Sequence, residues 1–333
     1  MRAAIYTRTG PAHEVLSIVT LERPEPEPGC VRIRMAWSGV NPSDTKSRAG
    51  TRSAVLPFPR ITPHSDGSGH IDAVGDGVDR ARLGERVWVW NAAWGRPDGT
   101  AAEWVVVPAE QAVRLPDRVD LKVGALLGIP ALTAYQAVHM HGGVQGKRVL
   151  VAGGAGAVGH YAVQMAREAG AAQVVATVSN AGKAALAREA GAGVTIDYRR
   201  EDVREAVRAA TDAQGVDRII EVDFAANAAL DFDLLARDGD VAIYGSGHPN
   251  IEVPFVPGIL KNISLHFFIV YHLSERDRKR AIEGLSAMLA GGKLQHNIAA
   301  EFPLEKIADA HMLVEEGKAV GNVILSIGGK TPA

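Results

Sequence analysis

Residues 148–167 read RVLVAGGAGAVGHYAVQMAR, and the fold is decided by this stretch. Its first six residues alternate and are rich in β-branched types, the pattern of a short buried strand. Gly154, Gly156 and Gly159 then spell G-x-G-x-x-G, and residues 157–167 carry the small and apolar faces of a packed helix. In a dinucleotide fingerprint one glycine makes the tight turn, a second admits the phosphates and a third lets the helix lie on the sheet. The N–H groups that open the helix then face the anionic pyrophosphate. Gly154, Ala155, Gly156, Ala157, Val158 and Gly159 are therefore expected to cradle a dinucleotide. The alternative is a structural βα turn, because a chain with 36 glycines produces such spacings by chance.

Downstream, strand-like and helix-like segments keep alternating. Strands are expected at 173–178, 194–197, 218–222, 240–245 and 263–270, and helices at 157–170, 182–190, 201–213 and 226–236. Such alternation predicts a parallel, doubly wound α/β sheet. Upstream, short strands at 31–37, 86–90 and 100–108 are separated by Pro and Gly turns such as PEPEPG at 24–29. The tail from residue 292 offers a helix at 304–316 and a strand at 322–327. It is expected to return to the first domain; the alternative is that it closes the parallel sheet. Hence the expectation is a β-rich domain of residues 1–123 and 292–333, and a doubly wound domain of residues 124–291.

Bulk composition excludes several classes. The 333 residues are 47% hydrophobic and 22% charged, with a net charge of −2. No basic run stands out, which argues against a nucleic-acid partner. Cys30 is the only cysteine, so no intramolecular disulfide and no cysteine-based zinc cluster can form. The N-terminus MRAAIYTRTG lacks the apolar core of a signal peptide. No apolar stretch approaches the roughly 20 residues that span a bilayer. A cytoplasmic protein without a membrane partner is expected.

The second strand discriminates between dinucleotides. NAD-preferring sites place an acid about 20 residues past the glycines, on the ribose hydroxyls. Here that strand ends Ala176-Thr177-Val178-Ser179-Asn180, without an acid, and Lys183 follows. A 2′-phosphate would be repelled by a carboxylate and held by a hydroxyl and an ammonium. Ser179, Lys183 and Tyr198 (which precedes Arg199 and Arg200) are expected near that phosphate, and NADPH is the expected cofactor. Taken singly, each of these charges also fits a solvated surface residue.

The chain resembles the zinc-independent quinone oxidoreductases (zeta-crystallin type) of the medium-chain dehydrogenase/reductase superfamily. The resemblance runs through MRAAIYTRTGPAHEVL, GVNPSDTKSRAG (39–50), HSDGSGHIDAVGDGV (64–78), GTAAEWVVVP, LGIPALTAYQAV (127–138), the glycine turn, PLEKIADAH (303–311) and GKAVGNVILSI (317–327). It implies a GroES-like catalytic domain joined to a Rossmann domain, with the active site in the cleft between them. The zinc ligands of metal-dependent relatives correspond here to Asn41, Ser65 and Ile129, none of them a usual zinc donor. His64, His139 and His141 read as surface or core residues, so no metal is expected.

The resemblance also implies site roles. Asn41 is the best candidate for a donor near nicotinamide and substrate, Ser65 a second, and Lys46 stands where many relatives carry a tyrosine. Asp44 is equally a structural and a catalytic candidate. Thr133, Gly245, Phe267, Phe268 and Ile269 are expected to line the cofactor, and Asn322 stands where relatives often carry a phosphate-facing lysine. For Phe267, Phe268 and Ile269, plain strand burial is the competing reading. The implied activity is NADPH-dependent reduction of a quinone. Alternatives are reduction of the conjugated double bond of an enone or enal, and a non-catalytic, crystallin-like NADPH-binding protein. A homodimer paired through the edge strand at 263–270 is the implied assembly.

Overall fold

The computed structural model of the chain describes residues 1–328. Two compact units emerge. The first joins Met1–Ile129 to a return segment that begins at Ser286; the second is Pro130–Leu285.

In the first unit β1 (Arg2–Ile5) and β2 (Ser17–Thr20) form an antiparallel pair. The larger sheet is organised on β3 (Cys30–Val40), with β4 (Gly67–Val74), β5 (Arg86–Val89), β6 (Trp104–Pro108) and β7 (Ala112–Arg114). Alternation along β3 turns Val31, Ile33 and Met35 into the core, while Arg34 is exposed. A period of two is what a sheet with one covered face requires.

The second unit holds β8 (Arg148–Val151), β9 (Gln173–Val178), β10 (Val194–Asp197), β11 (Val216–Glu221), β12 (Leu235–Ile243) and β13 (Ser264–Phe267). All are parallel, in the order β10-β9-β8-β11-β12-β13. The strand order reverses at β8, and the crevice at such a switch point is where doubly wound sheets bind ligands. A buried ion pair locks its middle. Arg218, fully buried on β11, meets Asp240 of β12 through Nε at 2.5 Å and Nη2 at 3.0 Å. Its Nη1 donates to the carbonyls of Val138 and Met140 at 3.2 and 3.0 Å, at the end of the helix Leu132–His139.

The chain closes with β14 (Ile298–Pro303) and β15 (Asn322–Ser326). β15 pairs antiparallel with β3, and β14 parallel with β15. The final strand therefore lies in the first unit's sheet and not in the parallel one. Val323, Leu325 and Ile327 complete the core built on Val31, Ile33, Val105 and Val107.

Several boundaries differ from the sequence expectation. The units part at 129/130 and 285/286 instead of 123/124 and 291/292. The later boundary falls inside the continuous helix Glu275–Gly291, where no turn residue could announce it. β13 ends at Phe267, short of residue 270, because its partner β12 ends at Ile243, opposite Phe267. The helix after the glycine turn begins at Gly159, two residues late, since residues 152–158 still form turns.

Candidate nucleotide site and a buried polar cluster

The nucleotide candidates come together within the second unit. The turn after β8 is anchored to β9: the Gly153 N–H donates to Thr177 Oγ1 at 3.1 Å, and the Gly154 N–H to the Thr177 carbonyl at 3.0 Å. Gly153, just before the motif, takes φ +68° and so performs the left-handed turn. Gly159 has another task. A Cβ there would lie 2.2 Å from the Gly153 carbonyl oxygen, so only glycine lets the helix Gly159–Glu168 start this close to the turn. Ala155 is buried, whereas Gly156, Ala157 and Val158 are partly open to solvent. This cradle fits a pyrophosphate: backbone N–H groups at a helix start, without side chains in the way.

Beside it, β9 and β10 end together, with Val178 opposite Asp197. Ser179 and Tyr198 thus follow two adjacent strand ends, and the Tyr198 N–H donates to the Val178 carbonyl at 3.1 Å. Ser179 is buried and Tyr198 half exposed. Asn180 caps the next helix by accepting the Lys183 N–H at 2.9 Å, which fixes Lys183 in the first turn of Ala181–Glu189. Among the described residues the Lys183 ammonium has no ion-pair partner.

On the other side of the switch point, Gly245, Phe267, Phe268 and Ile269 line one hollow of about 560 Å³ with Tyr244 and His248. Thr133 is buried in the first turn of the helix Leu132–His139. Sequence reasoning missed three contributors here. Thr177 holds the glycine turn, and its signal was a lone hydroxyl within an apolar strand. Val222, an exposed apolar residue after β11, lies with Cγ1 3.7 Å from the Cβ position of Gly153. Glu221 accepts from the Asp223 N–H at 2.5 Å and from Asn227 at 3.2 Å. Burial, with Glu221 facing it, pushes the Asp231 carboxyl upward.

The first unit gathers the other candidates. Asn41 is the N-cap of the helix Pro42–Ala49, and Asp44 accepts its backbone N–H at 2.8 Å, half of a capping box. Asp44 thereby has a demonstrated structural task. Asp66, fully buried, accepts the Ile129 N–H at 3.0 Å. Asn41 lies against both carboxyls, and its buried Nδ2 finds no acceptor in hydrogen-bond geometry. Desolvation raises Asp44 to about 7, against the hydrogen bond from the Asn41 backbone N–H. Burial, aided by the Asp44 charge, raises Asp66 well above the carboxylate range. Ser65 is buried between them in sequence. Lys46 is exposed on the same short helix. Asn322 begins β15 at the Asn41 end of β3, with Val323 opposite Val40, and its side-chain amide donates to the Asn297 carbonyl at 3.0 Å.

The donor set Asn41, Ser65 and Ile129 does not fit a zinc ion, which takes thiolate, imidazole or carboxylate. Among the described residues no three His, Cys, Asp or Glu gather in a metal-ligating group. His139 packs on Tyr135 and His141 on His266.

His64, read as a surface or core residue, is a core one, and its ring is hydrogen-bonded at both nitrogens. It is fully buried at φ +79°, a backbone state that costs a non-glycine residue roughly 1–3 kcal/mol. Its Nδ1 lies 2.8 Å from Ser38 Oγ and its Nε2 lies 2.9 Å from His311 Nε2. Burial lowers His64 to about 3 and His311 well below the usual range, so both rings are neutral.

The raised Asp44 has a consequence for stability. Its folded pKa lies above its unfolded value of 3.8, so the folded chain holds a proton that the unfolded chain has released. Its contribution is complete below the unfolded pKa and is lost as pH rises through about 7. The variant Asp44→Asn keeps an acceptor for the Asn41 N–H. Its melting temperature should fall less than that of wild type between about pH 4 and pH 7. Parallel pH profiles of wild type and variant would contradict the raised value.

Comparison with known proteins places these features among relatives. A family model for an alcohol dehydrogenase GroES-like domain matches residues 27–117, and one for a zinc-binding dehydrogenase matches residues 157–287. Human quinone oxidoreductase is 31% identical over 331 residues, covering 98% of this chain and 97% of that protein. A 2-haloacrylate reductase from Burkholderia is 31% identical over 335 residues, covering 98% of each. A mycobacterial protein solved in complex with NADPH superposes with a TM-score of 0.87 at 29% identity, covering 98% of this chain and all of that one. No helix among the described residues is long and apolar enough to cross a membrane.

Proposed function

Because this chain belongs to the quinone oxidoreductase family of the medium-chain dehydrogenase/reductase superfamily, we propose that it is an NADPH-dependent quinone reductase that works without zinc. One observation carries the cofactor choice. The strand end beside the glycine turn offers Ser179 and an unpaired Lys183 where an NAD site needs an acid. The NADPH-bound mycobacterial neighbour supports the same reading.

When bound, the nicotinamide supplies a hydride. The residues of this chain do the rest. The N–H groups of residues 157–159, at the helix start, bind the pyrophosphate, and Ser179, Lys183 and Tyr198 bind the 2′-phosphate. Thr133, Gly245 and the Phe267–Ile269 backbone hold the nicotinamide half, and Asn322 steadies the end of β15. Asn41 Nδ2 and the Ser65 hydroxyl donate to the acceptor oxygen that gains charge. Burial favours the protonated form of Asp66, which spares that charge one of the two carboxylates that would oppose it. Lys46 adds a cation on the exposed side of the same helix. A quinone already carries two polarising carbonyls, so positioned donors suffice where a simple ketone would need a Lewis acid.

The Burkholderia relative, named for a conjugated acrylate, favours a second reading: reduction of an activated carbon–carbon double bond. NADPH oxidation should be measured with 1,4-benzoquinone, 9,10-phenanthrenequinone and a simple enone, before and after chelator treatment. Turnover of the quinones, insensitive to chelator and lowered by Asn41→Ala, is the expected result. Activity on the enone alone would select the second reading, and a metal-dependent rate would overturn the zinc-free one. NADPH binding without oxidation by any acceptor would leave a non-catalytic, crystallin-like protein.

A homodimer is part of the proposal. β13 is an edge strand, and beside it the helix Phe255–Lys261 exposes Phe255, Val256, Ile259 and Leu260, while β13 exposes Phe267. An uncovered edge and exposed large apolar side chains call for a partner. Sedimentation should show a wild-type dimer and a Leu260→Asp monomer; a monomeric wild type would refute this part. The cytoplasm is the proposed compartment, from the single cysteine Cys30.

A further inference from the structure

The buried histidine pair of the first unit belongs to a chain of hydrogen bonds whose direction can be worked out from its end. Thr100 Oγ1 lies 2.5 Å from the Asp66 carbonyl oxygen. A carbonyl only accepts, so Thr100 spends its one hydroxyl proton there. Ser38 Oγ lies 2.7 Å from Thr100 Oγ1 and must therefore donate to it. With the Ser38 proton committed, the contact from Ser38 Oγ to His64 Nδ1 at 2.8 Å requires a proton on Nδ1. A neutral His64 then offers a bare Nε2, and His311 Nε2 must donate to it across 2.9 Å. His311 Nδ1 is left as an acceptor, and it is the one ring nitrogen of the pair that is buried without a partner. The deduced tautomer strands an acceptor at Nδ1 and not a donor, the less costly of the two.

This chain ends on the backbone that carries the polar cluster. The carbonyls of His64, Ser65 and Asp66 accept from the N–H groups of Thr100, Ala92 and Gly39, each at 3.0 Å. Asp66 in turn meets the Ile129 N–H and lies against Asn41. His311 stands in the helix Ile307–Glu315, 247 residues from His64 in sequence. That helix is also tied to the Asn41 helix, by Arg48 to Glu315 at 2.7 Å.

We propose that His311 is a positioning residue: its Nε2–H fixes the tautomer and the left-handed backbone of His64, and thereby the placement of Ser65 and of Asp66, which lies against Asn41. His64 cannot hold φ +79° by its own preference, and glycine would be the unstrained choice there. The ring persists because it is bonded at both nitrogens. Only the kinetic consequence rests on the reductase reading; the tautomers and the clamp do not.

The test uses the full chain as wild type and in two variants. In wild type, ¹⁵N-histidine spectra should show His64 protonated on Nδ1 and His311 on Nε2, assigned by loss of signal in His311→Gln and His311→Leu. The reverse tautomers would overturn the proposal. Amide exchange of Gly39, Ala92 and Thr100 should accelerate in His311→Leu, which removes the donor. It should stay near wild type in His311→Gln, which keeps an N–H for His64. If acceptors are reduced, kcat should fall on the order of 10-fold in His311→Leu and recover in His311→Gln, with NADPH affinity unchanged in both. Equal damage in both variants would assign His311 to packing alone. Should His311→Leu fail to fold, the wild-type tautomers and the His311→Gln exchange rates still decide the matter. A wild type inactive on every acceptor, with the expected tautomers and exchange rates, would sink the reductase reading and spare this one.

Discussion

Replacing Arg218 with alanine is expected to destabilise the second unit by about 3–5 kcal/mol, the usual result of stripping one partner from a buried ion pair. The size follows from what is left behind. Asp240 would be left in a nearly closed site with, among the described residues, only Lys147 Nζ, 3.4 Å away, to answer it. The carbonyls of Val138 and Met140 would lose their donor at a helix end that has no glycine cap. Since β11 and β12 pair at Arg218 and Asp240, the strain would fall on the centre of the sheet. Urea unfolding, followed with amide exchange of residues 132–140, would measure it. A loss under about 1 kcal/mol would mean that solvent reaches the pair.

The second large effect concerns the coenzyme. Lys183→Ala should weaken NADPH binding by about 1–3 kcal/mol, the range for a hydrogen bond to a charged group, and leave NADH nearly untouched. The cap from Asn180 Oδ1 holds the backbone of residue 183 independently of its side chain, so the substitution removes the cation without moving the helix start. Titration by fluorescence at low and high salt would check this, because a screened charge contact must weaken with ionic strength. Equal losses for both coenzymes would refute the phosphate role and leave Lys183 as a solvated surface residue.

How much of this was legible beforehand differed between the two units. The nucleotide cradle is local: a strand, seven turn residues and a helix start, all within residues 148–168. Its glycines could be read from spacing alone because backbone sterics act between near neighbours, as the Gly159 and Gly153 contact shows. Even there the left-handed residue proved to be Gly153, outside the motif, and the anchoring Thr177 came from the next strand. The polar cluster was legible only in part. Asn41 and Ser65 were singled out by resemblance, while Asp66 was left aside and His64 was read as a surface or core residue without its partners. Its partners Ser38, Thr100 and His311 lie 26, 36 and 247 residues away, and no periodicity links such positions.

By itself the sequence determined what short-range physics can specify: the alternation of strands and helices, the glycine turn and the missing acid before Ser179; the vacant zinc positions 41, 65 and 129 came from the resemblance. Tertiary structure alone decided that β15 joins β3, that Arg218 meets Asp240, and that two histidines share one proton between their facing nitrogens. These are contacts of buried polar groups. A buried donor or acceptor must find a partner wherever the fold brings one, and only the folded chain says which residue that is.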